Sequence, residues 1–352
     1  MQYQVGLLYF TEALGDALLE SINASPRVFS AGGREIELVA KHMKITEFDI
    51  DHESRYSLVI DRASHRLEIA RGVLMSHAFR GVHVINNPLS FHYFIAHKDV
   101  GYSIVRRLGV RVPATFILPP HSSPRLERGD FKFHRHFQWD KMMSKVGFPC
   151  YLKPAEGRGA EGVSLCNDMQ ELLEAYDASG DRSMTVQAAV SSPHEWHLRC
   201  LCVGREIIVM KYIFRPGDRS EYLPDKSFLT VDQGREVVDS CRIINRAFGY
   251  EMNSVEFVID DKGDAWAIDF NNPVPDGRPG ELGENFFEDY VGALTRRAAE
   301  LARFPVSSLF LPDLNAFSAI AQLEGDERTR RQRALEQANR FYEPATEDQV
   351  GL

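Results

Sequence analysis

The segment SVEFVIDDKGDAWAIDFNNP, residues 254–273, constrains the fold more than any other stretch of the chain. Apolar and polar residues alternate on both sides of a DKGD turn sequence, which specifies an antiparallel β-hairpin. With DKGD (261–264) as a four-residue loop, Asp260 opposes Ala265. Val255 then meets Phe270, Phe257 meets Ile268 and Ile259 meets Trp266. That face is wholly apolar, and a one-residue slip would scramble it. On the other face Glu256 lies opposite Asp269, and Ser254 opposite Asn271. Two carboxylates facing each other across a ladder repel and cost stability. An oxygen-only cluster of Glu256, Asp269 and Asn271 suits Mg²⁺, which takes one or two carboxylates and fills its other sites with water and phosphate. The bland alternative, two acids pointing into solvent, stays open on this segment alone.

A second constellation is YLKPAEGRGAEGVSL (151–165), where Gly157, Gly159 and Gly162 spell GxGxxG. A dinucleotide fold needs those glycines between a strand and a helix. Here Gly162 is followed by the strand-like run VSLC, and helical composition resumes only after a cap at Asn167 or Asp168. Strand, glycine loop, strand predicts a hairpin flap whose bare N–H groups can close on phosphate oxygens. Lys153, on the incoming strand, adds a point charge for the same phosphates. A Walker A loop is excluded because Val163, not Lys, follows Gly162, and a protein kinase because neither HRD nor DFG occurs. An ordinary glycine-rich turn remains the competing reading.

The third is SMTVQAAVSSPHEWHLRCLCVGREIIVMKYIFRPG (183–217). An apolar strand ends at Gln187, a linker leads to Glu195, and two strands meet around Val203-Gly204. Lys211 and Arg215, four apart, would share one strand face and point toward a polyphosphate near Lys153. Taken singly, each is more simply a surface cation.

At about 150 residues per domain, 352 residues predict two or three packed units. Strands at 5–10, 57–60 and 81–85, with helices over Leu14 to Ile22 and 67–78, predict a small α/β layer with a parallel sheet in residues 1–88. A block at 89–187 opens with a helix from Ala96 to Arg107 and a strand over 109–118. Residues 118–139 read as an irregular connection, in which His134 and His136 are better explained by an amphipathic loop than by a metal. A third block covers 188–303, and 304–352 forms a helical tail whose charged run 324–340 reads as a solvated helix. A net charge of −9 excludes a global pull on nucleic acid or anionic lipid. No apolar run approaches the roughly 20 residues of a membrane helix, and the first residues read as a strand rather than a signal peptide. Five cysteines without a CxxC pair read as reduced, mostly buried side chains of a cytoplasmic protein.

Lys98 before a helix and LGVRVPAT, FPCYLKP with its glycine flap, VQ at a strand end, and the VEFVID…AIDFNNP hairpin occur in the order found in the ATP-grasp superfamily. Over roughly residues 80 to 295 the chain resembles the branch that contains glutathione synthetase and ribosomal-protein glutamate ligase. The resemblance implies an α/β protein of ATP-grasp fold, with a small N-terminal domain followed by two α+β subdomains enclosing ATP. It implies Lys98 and Lys153 as phosphate ligands beneath the loop Gly157, Arg158, Gly159 to Gly162. Gln187 and the backbone from Ala188 to Val190 would hold adenine, and Glu195 the ribose. Glu256, Asp269 and Asn271 would hold Mg²⁺, with Mn²⁺ able to replace it, and Lys211 and Arg215 would stand on the phosphate side.

The implied reaction is ATP-dependent ligation of a carboxylate to an amine, an amino acid or peptide supplying the partners, with no nucleic acid and no membrane involved. The sequence leaves a homo-oligomer open. One departure concerns Ser254, which stands where D-alanine–D-alanine ligases place an arginine; Arg215 or Arg278 is expected to take that role. A synapsin-like ATP-binding protein without catalysis and a phosphotransferase on the same fold are the alternatives. A dinucleotide oxidoreductase has only GxGxxG in its favour.

Overall fold

Alternating apolar residues in the first block build a five-stranded sheet of order β2-β3-β1-β4-β5. Its strands are β1 (Gln2–Leu8), β2 (Val28–Phe29), β3 (Glu35–His42), β4 (Leu58–Asp61) and β5 (His83–Ile85). Strands β3, β1, β4 and β5 run parallel, and β2 closes the edge antiparallel. Strand β3 is absent from the sequence reading, although Ile36, Leu38 and Ala40 alternate inward between exposed charges. Helices α1 (Ala13–Asn23) and α2 (Glu68–Phe79) bury Leu14, Leu18 and Ile22, and Val73 and Leu74. These coordinates are a computed structural model that describes residues 1–30, 32–49, 51, 53–90, 98–122, 138–155, 162–215, 221–305 and 311–342. Of the candidate residues named from the sequence, His134, His136, Gly157, Arg158 and Gly159 lie outside the described residues.

Two antiparallel sheets follow. The smaller has the order β6-β9-β7-β8, from β6 (Thr115–Leu118), β7 (Cys150–Pro154), β8 (Ser164–Cys166) and β9 (Met184–Ala188). Helix α4 (Trp139–Val146) and helix α5 (Met169–Ala178) cover it with Met142, Met143, Leu172 and Tyr176. Asp168 caps α5 by accepting from the Glu171 N–H at 2.9 Å, which supplies one of the orphan bonds of a helix start. The larger sheet has the order β12-β11-β10-β13-β14, from β10 (His197–Val203), β11 (Glu206–Ile213), β12 (Glu221–Leu223), β13 (Met252–Ile259) and β14 (Ala265–Asn272). Helix α6 (Val231–Phe248) lies on one face, begun by a Thr230–Gln233 capping box and ended by Gly249 at φ 67°. Helix α7 (Glu284–Arg303) lies on the other and packs against α1.

Packing cuts across the divisions drawn from the sequence. Helix α3 (Lys98–Arg107) contributes Val105 and Leu108 to the core beneath α6, not to the small sheet that follows it in the chain. The strand expected over 109–118 is a strand only from Thr115, because Gly109 turns at φ 77° and the next residues run beside β14, where the Arg111 carbonyl accepts from the Ala267 N–H at 2.9 Å. In the tail, helices α8 (Leu314–Ala321) and α9 (Glu327–Tyr342) add Phe317, Ala334 and Ala338 to the same core, so the charged run has one buried face. Likewise α7 shares a core with β1 and α1, which joins the first block to the third. All five cysteines are buried and unbridged.

Candidate active site

The acidic hairpin forms, with a different turn. Ile259 pairs with Ala265, so the loop is five residues, 260–264, rather than four. Asp260 causes this: its carboxylate accepts from the N–H groups of Lys262 and Asp264 and from Trp266 Nε1, each at 2.9 Å. Phe257 therefore faces Ala267, not Ile268, and Trp266 faces Val258, not Ile259. Two register shifts on β14 then act in sequence. The first restores Glu256 opposite Asp269, and the second places Asn272, not Asn271, opposite Ser254. Bulges re-aim side chains and concentrate beside active sites. Here they bring two carboxylates face to face and bury Asn271, two residues along, against helix α3.

Repulsion between the acids is answered by a cation that sequence reasoning missed. Arg199 lies across the ladder from Glu256 on β10 and binds its Oε1 through Nε at 2.9 Å and through a second, shorter bond from Nη2. Its guanidinium also contacts the Tyr222 hydroxyl and stacks 5.0 Å from the Tyr212 ring centroid. Burial by itself would make that cation easier to deprotonate, but Glu256 and the tyrosines hold its pKa above the ordinary value. A row of Arg199, Glu256 and Asp269 thus crosses three adjacent strands on one face. Among the described residues no three His, Cys, Asp or Glu side chains converge. Two carboxylates and an amide suit Mg²⁺, which leaves most of its sites to water and phosphate, better than a metal that needs a full protein cage.

The two cations expected from strand β11 fall elsewhere. Lys211 opposes Leu198, which opposes Phe257, so it shares a face with the α6 core and not with Glu256. Its Nζ bonds Asp225 at 3.1 Å and lies 5.5 Å from the Trp196 ring centroid. Strand β11 stops at Ile213, so the alternation expected to carry Arg215 onto the Lys211 face does not reach it; Arg215 pairs with Glu221 at 3.5 Å on the surface. Arg278 caps a helical turn, Pro279–Leu282, and is held by Asp276 and Glu281, and its side chain is 69 % exposed. The same loop is tied to the first block by buried Arg62, which donates to the Pro275 carbonyl at 3.0 Å and pairs with Glu12.

On the smaller sheet Lys153 and Gln187 come together. Lys153 Nζ donates to Gln187 Oε1 at 2.7 Å, and Gln187, itself buried, donates to Thr115 Oγ1 at 3.0 Å. Strand β8 follows the glycine loop and pairs antiparallel with β7, the hairpin expected of a flap and not the helix a dinucleotide fingerprint requires. Gly162 sits at φ 73°, and a Cβ there would stand 2.5 Å from Arg182 Nη1. Lys98 opens helix α3. At the hinge the N–H groups of Ala188 and Ala189 bond the carbonyls of Ala114 and Pro149, at 2.9 and 3.2 Å. Val190 is half-buried and Glu195 is exposed. Ser191 Oγ bonds Asp261 at 2.8 Å, which links the hinge to the acidic hairpin's loop. A cavity of about 1110 Å³ opens at the strand starts of the first sheet, beside Tyr3, Tyr56 and His83, and none of the candidate site residues lines it.

No protein-family model matches the chain. Among solved structures it is similar to a RimK domain protein of ATP-grasp type from Sphaerobacter thermophilus, at 16 % identity and a TM-score of 0.56 over 84 % of this chain and 99 % of that one. It is similar to the VanG D-Ala:D-Ser ligase of Enterococcus faecalis, at 12 % identity and 0.58 over 86 % and 99 %. The macrocyclase MdnC of Microcystis aeruginosa, solved with its precursor peptide MdnA, matches at 13 % identity and 0.58 over 85 % and 100 %. The chain therefore has the ATP-grasp fold. No described helix is long and apolar enough to cross a membrane.

Proposed function

We propose that the protein is an ATP-dependent carboxylate–amine ligase acting on an amino acid or peptide. The observation that carries this reading is the Arg199–Glu256–Asp269 row at a doubly shifted ladder, in a fold shared with ligases. Mg-ATP, when bound, supplies the phosphoryl group: a substrate carboxylate oxygen takes the γ-phosphoryl to give an acyl phosphate and ADP, and an amine then displaces phosphate to leave an amide. Phosphoryl transfer asks a protein for positioning and charge neutralisation more than for a nucleophile. Glu256, Asp269 and Asn271 hold the metal. Lys153 binds phosphate, releasing Gln187 to the adenine. Because the Ala188 and Ala189 N–H groups are spent within the protein, Val190 is the hinge donor for the base, and Glu195 takes the ribose. We assign Arg199 to offset charge on the transferring group because it binds Glu256 within the row, whereas Arg215 pairs with Glu221 and Arg278 with Asp276 and Glu281.

The test is ADP release with Mg-ATP against amino acids, short peptides and small acids, singly and in pairs. Release that needs both a carboxylate and an amine supports the ligase. Nucleotide binding without release across the panel would make the chain an ATP-binding protein without catalysis. Thermal stabilisation by NAD and not by Mg-ATP would overturn the reading altogether.

A further inference from the structure

The first of the two shifts on β14 skips a single residue. Glu256 faces Asp269 and Phe257 faces Ala267, so Ile268 is skipped by the ladder. A skipped residue has backbone groups that the sheet does not satisfy, and an unsatisfied carbonyl invites the strand to slip. Its carbonyl is instead met from helix α3, where the Tyr102 hydroxyl donates to Ile268 O. The Tyr102 ring packs edge-on to Phe270, with centroids 4.8 Å apart, on the far side of Asp269. One residue earlier in the helix, Gly101 lets the backbone come so close that a Cβ would lie 3.0 Å from Asn271 Nδ2 and 3.2 Å from the Phe270 ring.

We propose that Gly101 and Tyr102 are positioning residues: this single helical turn fixes the bulge of β14 and thereby aims Asp269 and Asn271. The hydroxyl holds Ile268 in its skipped place, and the glycine leaves room for Asn271 to keep its rotamer. Neither residue touches the reacting atoms. The inference rests on the ligase reading only in taking Asp269 and Asn271 as metal ligands.

Tyr102→Phe removes the hydroxyl and keeps the ring against Phe270. Binding of a fluorescent ADP analogue is titrated with Mg²⁺ and separately measured in EDTA. Altering a direct partner of a metal ligand costs about ten- to a hundredfold in metal affinity, and Tyr102 bonds the residue beside Asp269, so the lower figure of about tenfold applies. The Mg²⁺ concentration for half-maximal binding should rise by that factor, while binding in EDTA stays at the wild-type value. A purely structural hydroxyl would lower the melting temperature and leave the Mg²⁺ midpoint in place. Gly101→Ala guards against a variant that merely folds poorly, because alanine favours a helix interior over glycine. The propensity gain of about 1 kcal/mol offsets part of the crowding against Asn271, so its melting temperature should stay near wild type while its Mg²⁺ midpoint moves up. If wild type shows Mg²⁺-dependent binding and both variants share its midpoint, the positioning role is wrong and the ligase reading stands. If wild type shows no Mg²⁺ dependence at all, both are overturned.

Discussion

Strands β7 and β8 pair over three residues in one register, Cys150 to Leu152 against Cys166 to Ser164, whereas β13 and β14 pair along eight-residue strands with two shifts. Among its described residues the first hairpin is tied by side chains to the neighbouring β9, through Thr185 to the Lys153 carbonyl and through Lys153 to Gln187. The second is tied by side chains from several directions. Asn253 donates to the Phe270 carbonyl and accepts from the Asn272 N–H, and Asn86 bonds the N–H and the carbonyl of Met252. Ser191 reaches its loop and Tyr102 its bulge. Two antiparallel hairpins in one chain thus differ in how heavily they are determined. A metal site needs fixed donors, and a phosphate flap needs a backbone that can approach and withdraw. In the ligase reading the difference is functional.

The strongest way to break the contrast is at the entry of β13. Glu251 is buried with Arg297 and with His83 at 2.5 Å. Burial alone would raise its pKa, but the His83 and Arg297 charges together pull it from 4.5 to about 2. Glu251→Gln leaves Arg297 buried with half its partners and should destabilise by about 3–5 kcal/mol in denaturant unfolding. The folded carboxyl titrates below the unfolded one, so its contribution is complete above about pH 4.5 and lost as pH falls through about 2. The gap between wild type and variant should therefore narrow from pH 5 toward pH 2, and a gap constant with pH would show that the charge is not what stabilises.

Next comes Asp269→Asn. With Mg-ATP it should cut ADP release by at least about a hundredfold, the upper range for altering even an outer partner of a metal ligand. Without metal the apo protein should be unchanged or gain at most about 1 kcal/mol from relieved repulsion. The gain is small because Arg199 already offsets Glu256. Full activity in this variant would reduce the hairpin to a structural element. On the flap side, Lys153→Ala removes a charge-assisted contact and should weaken nucleotide binding by about 1.5–3 kcal/mol, read by calorimetry, while the apo protein loses about 1 kcal/mol with the bond to buried Gln187.

The parts of this site that were legible are those fixed by local pattern. Alternation placed Glu256 opposite Asp269, and the strand-like run after Gly162 excluded a dinucleotide loop. Arg199 was not legible, because HLRCLCV reads as a strand and its acidic partner is known only once β10 pairs with β13, a contact 57 residues away. Lys211 and Arg215 misled for the opposite reason: their spacing assumes a strand that continues past Ile213. Helix α3 was read correctly as a helix but assigned to the sheet that follows it in sequence, since nothing local says that Val105 packs under α6. The pairing of the acids came out right although the turn was wrong, because the first shift on β14 cancels the extra loop residue.

That cancellation makes Asp260 the smallest and sharpest test. Its carboxylate accepts three hydrogen bonds within the loop. Burial opposes ionisation, yet Trp266 and the two backbone N–H groups lower its pKa from the ordinary value, so the loop is most stable above about pH 3.8 and loosens as pH falls. Asp260→Ala should cost about 1 kcal/mol, the net worth of one such bond, because the other groups are near enough to solvent to find water. The acids at the other end of the hairpin are held separately, by the bulge, Arg199 and Tyr102. Mg²⁺-dependent nucleotide binding should therefore stay within about twofold of wild type, even though the turn that begins β14 has been weakened. Calorimetry and a melting curve on the same sample separate the two quantities. A large loss of Mg²⁺ dependence would mean that the turn sets the register of the whole hairpin, and that the ties along its length do not determine it independently.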